Sequence, residues 1–220
     1  MNLKPLKGDL IDIHTHNTEI QKGVFSLLNV FPGDFPGLPS DKPITVGLHP
    51  WHVSPESQTS TRALLGKTAT LPNVAGFGET GLDKAIKTDI GLQEIIFRIH
   101  AEISEYYKKP LIIHCVKAFQ ELISLKRELQ PTIAWIIHGF RGSEELASEL
   151  IKHGFWISVN ESIIKIPGKA HAVLIKIPPE RLFMETDEYP ASVKKIYNFV
   201  EEYWNIDMKT QIFNNYSNIF

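Results

Sequence analysis

The chain has 220 residues, of which 43% are apolar and 22% are charged, a balance typical of a globular protein with one domain. Its 23 basic and 25 acidic residues give a formal net charge of −2, which excludes binding of nucleic acid through a strongly basic overall field. The single cysteine, Cys115, excludes an internal disulfide and fits a reducing compartment. Because Met1–Asp9 contains no apolar run typical of a signal peptide, we expect a cytoplasmic protein with no membrane segment.

Short apolar runs bounded by turn residues predict eight β-strands. The predicted strands are Leu10–His14, Gly23–Val30, Ile44–Leu48, Val74–Phe77, Leu111–Ile113, Ile133–Ile137, Phe155–Val159 and Arg181–Glu185. Helical spacing of apolar residues predicts helices at Ile90–Lys108, Ala118–Leu129, Ser143–His153, Ser192–Trp204 and from Met208 onward. Strands that alternate with helices favour a parallel sheet, and eight such strands predict an α/β fold of the (β/α)8 TIM-barrel type. With no linker or repeat in the sequence, we expect one domain over residues 1–220.

The front of this barrel is expected to lack its first two helices, or to keep only shortened ones. Too few residues separate the first two predicted strands for a crossover helix. The segment between the second and third, Phe31–Pro43, is rich in proline and glycine, which favour a loop.

The first predicted strand and the two residues that follow it contain the sequence Asp12-Ile13-His14-Thr15-His16. Alternate side chains of a strand lie on one face, so the carboxylate and the two imidazoles share a face. Two imidazoles at this spacing can bind one cation, and a nearby carboxylate can orient one of them. A pair of surface histidines would have the same spacing, so the rest of the chain must decide between the two interpretations.

Histidines or acids also follow the later apolar strands, at the ends that meet on one rim of a parallel barrel. The ligand-type residues in these positions, together with the first two histidines, are His14, His16, Glu79, His114, His138 and Asp187. Six ligands exceed the needs of one tetrahedral zinc and suit two divalent cations that share a carboxylate. Glu79 is the natural shared ligand because it comes from a middle strand.

Six short motifs in this order resemble those of the TatD family of metal-dependent deoxyribonucleases, which have amidohydrolase-like barrels. The motifs are Asp12-x-His14-x-His16, Gly47-x-His49-Pro50, Gly78-Glu79-x-Gly81-Leu82-Asp83, Ile113-His114, Ile137-His138-Gly139-Phe140 and Glu185-Thr186-Asp187. The resemblance extends from about residue 9 to the C-terminal end, where Asn215 and Phe220 match the closing helix of the family.

The resemblance implies a role for each matched residue. One metal ion would be held by His14, His16, Glu79 and Asp187, and a second by Glu79, His114 and His138. Asp187 and Glu79 would be catalytic, with Asp187 placed to orient or deprotonate the attacking water. His49 would contact the scissile phosphate. Mixed histidine and carboxylate ligands accept Zn, Mn, Mg or Fe.

Some residues next to these motifs differ from the family pattern. His114 is followed by Cys115-Val116-Lys117 rather than by serine and arginine, so Lys117 would supply a substrate contact without the bidentate fork of arginine. Asp187 is followed by Glu188-Tyr189, and Asp83 by Lys84 in place of an aromatic residue. We expect Trp51 to cover the barrel mouth, and the alternative is that it stacks on a base.

Four further residues have open roles or structural ones. We expect His100 to be a packed or surface histidine, Cys115 to point into the core and Asp12 to orient a histidine. Asp83 is either a substrate contact or a helix-start acid.

The sequence therefore predicts a two-metal hydrolase that cleaves phosphodiester bonds at single-stranded DNA ends, with no obligate protein partner. Two alternatives remain open. The protein could hydrolyse another ester or amide, since related barrels carry out several chemistries, or it could be a degenerate metal-binding barrel that binds a partner.

Overall fold

The eight strands follow one another in chain order within a single sheet of the computed structural model, which describes residues 3–19, 21–34, 36–189 and 192–220. The strands are β1 Leu10–Thr15, β2 Val24–Val30, β3 Ile44–Val46, β4 Val74–Asp83, β5 Leu111–Val116, β6 Trp135–Ile137, β7 Trp156–Val159 and β8 Leu182–Met184. Pairing is parallel between β1 and β2, β3 and β4, β4 and β5, and β7 and β8. Thr15 also forms a parallel bridge with Asp187, just after β8. The (β/α)8 TIM-type fold predicted from the sequence is confirmed.

The helices follow the later strands, as the sequence predicted. They are α1 Ser57–Thr68, α2 Ile90–Tyr107, α3 Phe119–Leu129, α4 Glu144–Lys152, α5 Glu161–Ile164, α6 Pro167–Leu174, α7 Val193–Trp204 and α8 Met208–Ile219. Ser143 caps α4 by accepting a hydrogen bond from the Leu146 amide. The sequence did not predict α1, α5 or α6. In α1, three of the four buried residues are serine or threonine, which leaves little hydrophobic periodicity.

The first two barrel helices are missing from the described part of the chain. Among the residues that the structure describes, no helix separates β1 from β2, and a 3-10 turn at Pro32–Asp34 lies between β2 and β3. This confirms the prediction made from the short first connection and from the proline content of the second.

The structure separates into two compact units, each of which buries apolar side chains. The first contains residues 29–136 and Phe220, and its core includes Phe97 packed edge-to-face on Trp135. The second contains residues 3–28 and 137–219. In its core, the buried Tyr197 hydroxyl accepts from the Ile11 amide and donates to the Ile11 carbonyl. The single domain expected from the sequence stays a prediction.

The helices of the described residues are all too short or too polar to cross a membrane.

Candidate metal sites

In the first unit, β4 is longer than the sequence predicted: it contains the candidate ligand Glu79 and ends at the acid Asp83. The strand contains Gly78 and Gly81, whose φ angles of +120° and +153° favour glycine. A Cβ atom on Gly81 would overlap the carbonyl oxygen of His114 on the paired strand β5. The glycines therefore allow β5 to approach closely enough for the His114 ring to face Glu79.

Three side chains form what we call the Glu79 cluster: His49, Glu79 and His114. The Glu79 Oε1 atom lies 3.1 Å from His49 Nε2 and 2.9 Å from His114 Nδ1. One ligand atom from each of the three residues lies within 4.8 Å of the others. His49, which the sequence assigned to substrate, therefore lies among the predicted ligands of this unit.

Asp83 lies on the opposite side of the His114 ring. Its Oδ2 atom is 3.3 Å from His114 Nε2 and accepts a 3.0 Å hydrogen bond from the Trp51 indole N–H. Burial alone would raise the pKa of Asp83, but hydrogen bonds from Trp51, the Ala85 amide and His114 outweigh it and keep the pKa below its ordinary value. Asp83 is thus part of the site rather than a simple helix-start acid.

The Trp51 side chain is mostly open to solvent, whereas the sequence favoured a role in covering the barrel mouth. Its side chain is 62% exposed, and its ring lies edge-on to His49 with 4.9 Å between centroids. The indole N–H is already bonded to Asp83, so it fixes the ring in place while leaving most of its surface open to solvent. This arrangement is compatible with the stacking role considered above.

In the second unit, three side chains form what we call the Asp187 cluster: His14, His138 and Asp187. One ligand atom from each lies within 4.8 Å of the others. His14 is fully buried, and its Nε2 atom is 3.7 Å from Asp187 Oδ1. His16, which is more exposed, has its Nε2 atom 3.9 Å from the same oxygen. Four of the six predicted ligands therefore come together in this unit.

The backbone holds Asp187 beside His14 of β1 and beside His16, which directly follows that strand. The Asp187 amide donates to the His14 carbonyl at 2.9 Å, and the His16 amide donates to the Asp187 carbonyl at 3.1 Å. Asp187 has a φ of +56°, a left-handed conformation that aspartate and asparagine adopt more readily than most residues. Its position is thus set by strand pairing as well as by its side chain.

The sequence predicted that Asp12 orients a histidine ring, but in the structure its carboxylate binds Thr186, next to Asp187. Its carboxylate accepts hydrogen bonds from the Thr186 amide at 2.9 Å and from the Thr186 hydroxyl at 2.6 Å. Burial is the main cause that raises the pKa of Asp12 to about 7, against the opposing effect of these bonds. The carboxylate therefore links β1 to the residue that precedes Asp187.

Glu185 orients His138, a role that the sequence did not assign to it. Its Oε1 atom lies 3.3 Å from His138 Nδ1, and the carboxylate also accepts from Ser158 and Asn160. Complete burial would raise the pKa of Glu185, but the interactions with His138, His14 and Ser158 lower it below its ordinary value. A carboxylate on one ring nitrogen of a metal-binding histidine leaves the other nitrogen for the metal. The sequence shows Glu185 at the end of a predicted strand, but its partner His138 lies 47 positions earlier in the chain.

The residues of both clusters fit divalent cations. Imidazole nitrogens and carboxylate oxygens are ordinary ligands of zinc and related metals, with bonds of about 2.0–2.2 Å. Donor atoms that lie within 4.8 Å of one another need only small side-chain movements to converge on one cation. The Glu185–His138 contact also supplies the outer support that such sites need.

Three other residues singled out in the sequence lie outside the clusters. Lys117 is exposed after β5, and no hydrogen bond or ion pair of the described residues links it to the Glu79 cluster. Burial raises the pKa of Cys115 to about 12, so its thiol stays protonated and is a poor nucleophile. His100 is a packed histidine of α2.

Comparison with protein families matches residues 39–220 to the model described as TatD-related DNase. An uncharacterized metal-dependent hydrolase of Buchnera aphidicola is 33% identical over 66% of this chain and 55% of its own length. The 3'-5' ssDNA/RNA exonuclease TatD of Erwinia tasmaniensis is 28% identical over 65% of this chain and 56% of its own. The human 3'-5' RNA nuclease TATDN2 is 31% identical over 64% of this chain and 19% of its own. The chain spans about half the length of these two bacterial relatives and about a fifth of the human one.

Two solved structures share the fold. The crystal structure of YJJV, a TatD homologue from Escherichia coli, has a TM-score of 0.81 at 20% identity and covers 98% of this chain and 99% of that one. A TatD family hydrolase from Entamoeba histolytica has a TM-score of 0.75 at 17% identity, with the same coverage of both chains.

Proposed function

Because the chain belongs to the family of TatD-related DNases, we propose that it is a metal-dependent hydrolase that removes nucleotides from the ends of single-stranded DNA. The observation that carries the proposal is the pair of ligand clusters, His49, Glu79 and His114 in one unit and His14, His138 and Asp187 in the other. Each combines imidazoles with a carboxylate, the ligand set of catalytic rather than closed structural metal sites.

We propose His14, His16, Glu79, His114, His138 and Asp187 as metal ligands, one divalent ion for each cluster. When bound, such ions polarise a phosphate oxygen and stabilise the charge that develops on the attacking and leaving oxygens. His49, with Nε2 3.1 Å from Glu79, is proposed to bind either the ion of its cluster or the scissile phosphate beside it. The sharing of Glu79 between the two ions stays a prediction from the sequence.

Asp187 is proposed as the general base. Its Oδ1 atom faces the His14 and His16 nitrogens, and its carboxylate lies beside the buried cluster with part of its surface exposed. A carboxylate in this position can orient a water molecule and accept its proton as the bond to phosphorus forms. Glu185 and Asp12 would keep His138 and Asp187 in place through the contacts described above.

The substrate is proposed from three features. Relatives are named for 3'-5' exonuclease activity on single-stranded DNA and RNA and for RNA nuclease activity. The net charge of −2 provides no broad basic surface for a duplex. Trp51 offers an exposed ring beside His49 on which one base can stack, and Lys117 is an exposed cation after β5. We further propose that the protein acts in the cytoplasm.

The experiment is to purify the protein without chelator, measure its metal content, and incubate it with a 5'-labelled single-stranded oligonucleotide. We expect about two divalent ions per chain and a ladder of products that shortens from the unlabelled end. Chelation should abolish the ladder, and added Zn, Mn or Mg should restore it.

A Glu79→Gln variant is the matched control, since it keeps the shape of the side chain and removes its charge. A wild-type protein that binds metal but cleaves only carboxylic esters or amides would replace the nuclease proposal with the alternative hydrolase. Metal binding without any hydrolysis would favour a binding barrel.

A further inference from the structure

A group of exposed cations surrounds one tyrosine beyond the Asp187 cluster, within the same unit. The Lys165 Nζ atom lies 4.8 Å from the centre of the Tyr189 ring, and the Arg141 guanidinium lies 5.9 Å from it. Arg141 Nη2 donates a 3.1 Å hydrogen bond to the Tyr189 hydroxyl, and Lys169 Nζ donates to the Arg141 carbonyl at 2.8 Å. We call Arg141, Lys165, Lys169 and Tyr189 the Tyr189 platform.

These cations differ from several other lysines and arginines of the chain, whose side chains pair with carboxylates. Arg62 and Arg98 form two-pronged salt bridges with Glu102 and Glu128, and Lys84 pairs with Glu121. Arg141, Lys165 and Lys169 make no ion pair in the part of the chain that the structure describes, although the exposed Glu188 is adjacent to Tyr189. Three positive charges are therefore held near one another and remain available to an anion.

The chain itself places the platform close to the proposed metal ligands. Arg141 follows the ligand His138 by three positions, and Tyr189 follows Asp187 by two. Lys165 and Lys169 belong to the segment that contains α5 and α6, after β7. The three contributing segments all follow strands at the ends that carry His138 and Asp187.

An apolar cleft lies directly beside the cations. It has a volume of about 150 Å³ and is lined by Phe140, Ile163, Ile166 and Val173, with Arg141 and Lys169 among the residues at its edge. Ile166 is 60% exposed, an unusual environment for an isoleucine. A surface that alternates apolar wall and cation matches a polymer that alternates bases and phosphates.

We propose that the Tyr189 platform binds the nucleotides that flank the scissile bond in a single-stranded nucleic acid. Arg141 and Lys165 contact successive phosphates, Lys169 supports Arg141, and a base enters the apolar cleft. Tyr189 keeps Arg141 and Lys165 in place through its hydroxyl and its ring, which lowers the entropy lost when they bind a phosphate. The inference rests on the proposed function but names residues that the metal chemistry does not require.

The test measures binding rather than cleavage, so its outcome is separate from that of the proposed activity. A fluorescent oligothymidine is titrated with protein in chelator, at several salt concentrations, for wild type and for the Arg141→Gln/Lys165→Gln double variant. The matched control is Lys194→Gln/Lys195→Gln, which removes two exposed charges from the start of α7 in the same unit.

We expect the platform variant to bind at least about tenfold more weakly than wild type at 0.1 M salt, a ratio of the size found when one charged hydrogen bond is lost. A plot of log affinity against log salt concentration has a negative slope, and the variant should make this slope shallower by about 1.4. Each of the two lost phosphate contacts contributes about 0.7 for a single strand. The control variant should match wild type. Arg141→Lys should bind with intermediate strength, because lysine keeps the charge without the planar fork.

Equal binding by wild type and the platform variant would overturn the inference, and so would an equal loss in the control variant, which would indicate a diffuse field. Competition by polyglutamate as strong as that by unlabelled oligothymidine would identify a general anion surface and would also overturn it. Matching melting curves for all variants show that the folds are equivalent. Loss of binding in the platform variant supports the inference even if the wild type cleaves no DNA.

Discussion

At the scale of single residues, Asp187 carries the sharpest prediction. Asp187→Asn keeps the shape of the side chain and a residue type that tolerates the φ of +56°, but it removes the carboxylate that would accept a proton. We expect turnover of the single-stranded substrate to fall at least about 10²-fold, the usual range for removal of a general base. Initial rates at saturating metal measure this change directly.

Metal content and melting temperature of the Asp187→Asn protein serve as its control, because a variant that has lost its ion would lose activity for another reason. Turnover close to that of wild type at saturating metal would exclude Asp187 as the base.

Glu185 tests whether the outer contacts of the site matter for metal binding. Glu185→Gln keeps the size of the side chain and one of the two oxygens that accept from Ser158 and Asn160, but it removes the negative charge that faces His138 Nδ1. We expect the affinity of the Asp187 cluster for zinc to fall about 10- to 100-fold, as is typical when an outer-shell carboxylate is lost. Competition with a chromophoric chelator measures this affinity, and an unchanged zinc affinity would show that Glu185 has only a packing role.

At the scale of elements, α2 supports the segment that carries His49 through one buried histidine. His100 Nε2 accepts from the Leu48 amide at 3.0 Å, and Nδ1 donates to the Ile96 carbonyl at 2.8 Å, so the ring is neutral. Burial lowers the pKa of His100 to about 4, whereas in the unfolded chain it is about 6.5. As the pH falls from 6.5 to 4, the unfolded chain binds a proton that the folded chain does not, and stability declines.

This difference contributes about 1.4 kcal/mol of lost unfolding free energy per pH unit in that range. A His100→Gln variant lacks the titrating group, so its unfolding free energy should fall less steeply between pH 6 and pH 4.5, by about that amount per unit. Urea unfolding in chelator at several pH values provides the measurement and removes the effect of metal loss. Parallel pH curves for the two proteins would contradict this account.

At the scale of the whole molecule, the net charge and the missing helices support the proposal of a single-stranded substrate. The formal charge of −2 supplies no field to hold a duplex, and no helix of the described residues separates β1 from β2. Extruding a nucleotide from inside a duplex costs a few kcal/mol, which corresponds to about 10²-fold in rate. We therefore expect an end-labelled single strand to be degraded at least about 10²-fold faster than a covalently closed circular duplex is nicked.

Both substrates are compared at equal nucleotide concentration with the same metal, and a linear duplex with a single-stranded overhang serves as the intermediate case. Rapid nicking of the closed circle would show that the reach of the site is longer than a few nucleotides.

The sequence by itself determined the features that depend on local patterns. Eight apolar runs predicted eight strands, and the short connections before Ile44 predicted the loss of the first two helices; the structure confirms both. The six candidate ligands could be chosen because parallel strands carry their functional residues at one end, which is a property of the strand itself. Their assignment as ligands stays a proposal.

Only the tertiary structure decided which side chains meet, because those contacts join residues far apart in the chain. The strand β4 extends to Asp83 since its register with β5 continues there, and that pairing brings Asp83 to His114 and Trp51. Glu185 reaches His138 across 47 positions, and Asp12 reaches Thr186 across 174. Hydrophobic periodicity records which face of an element is buried but not which distant residue faces it, so the partners of these acids followed only from the fold.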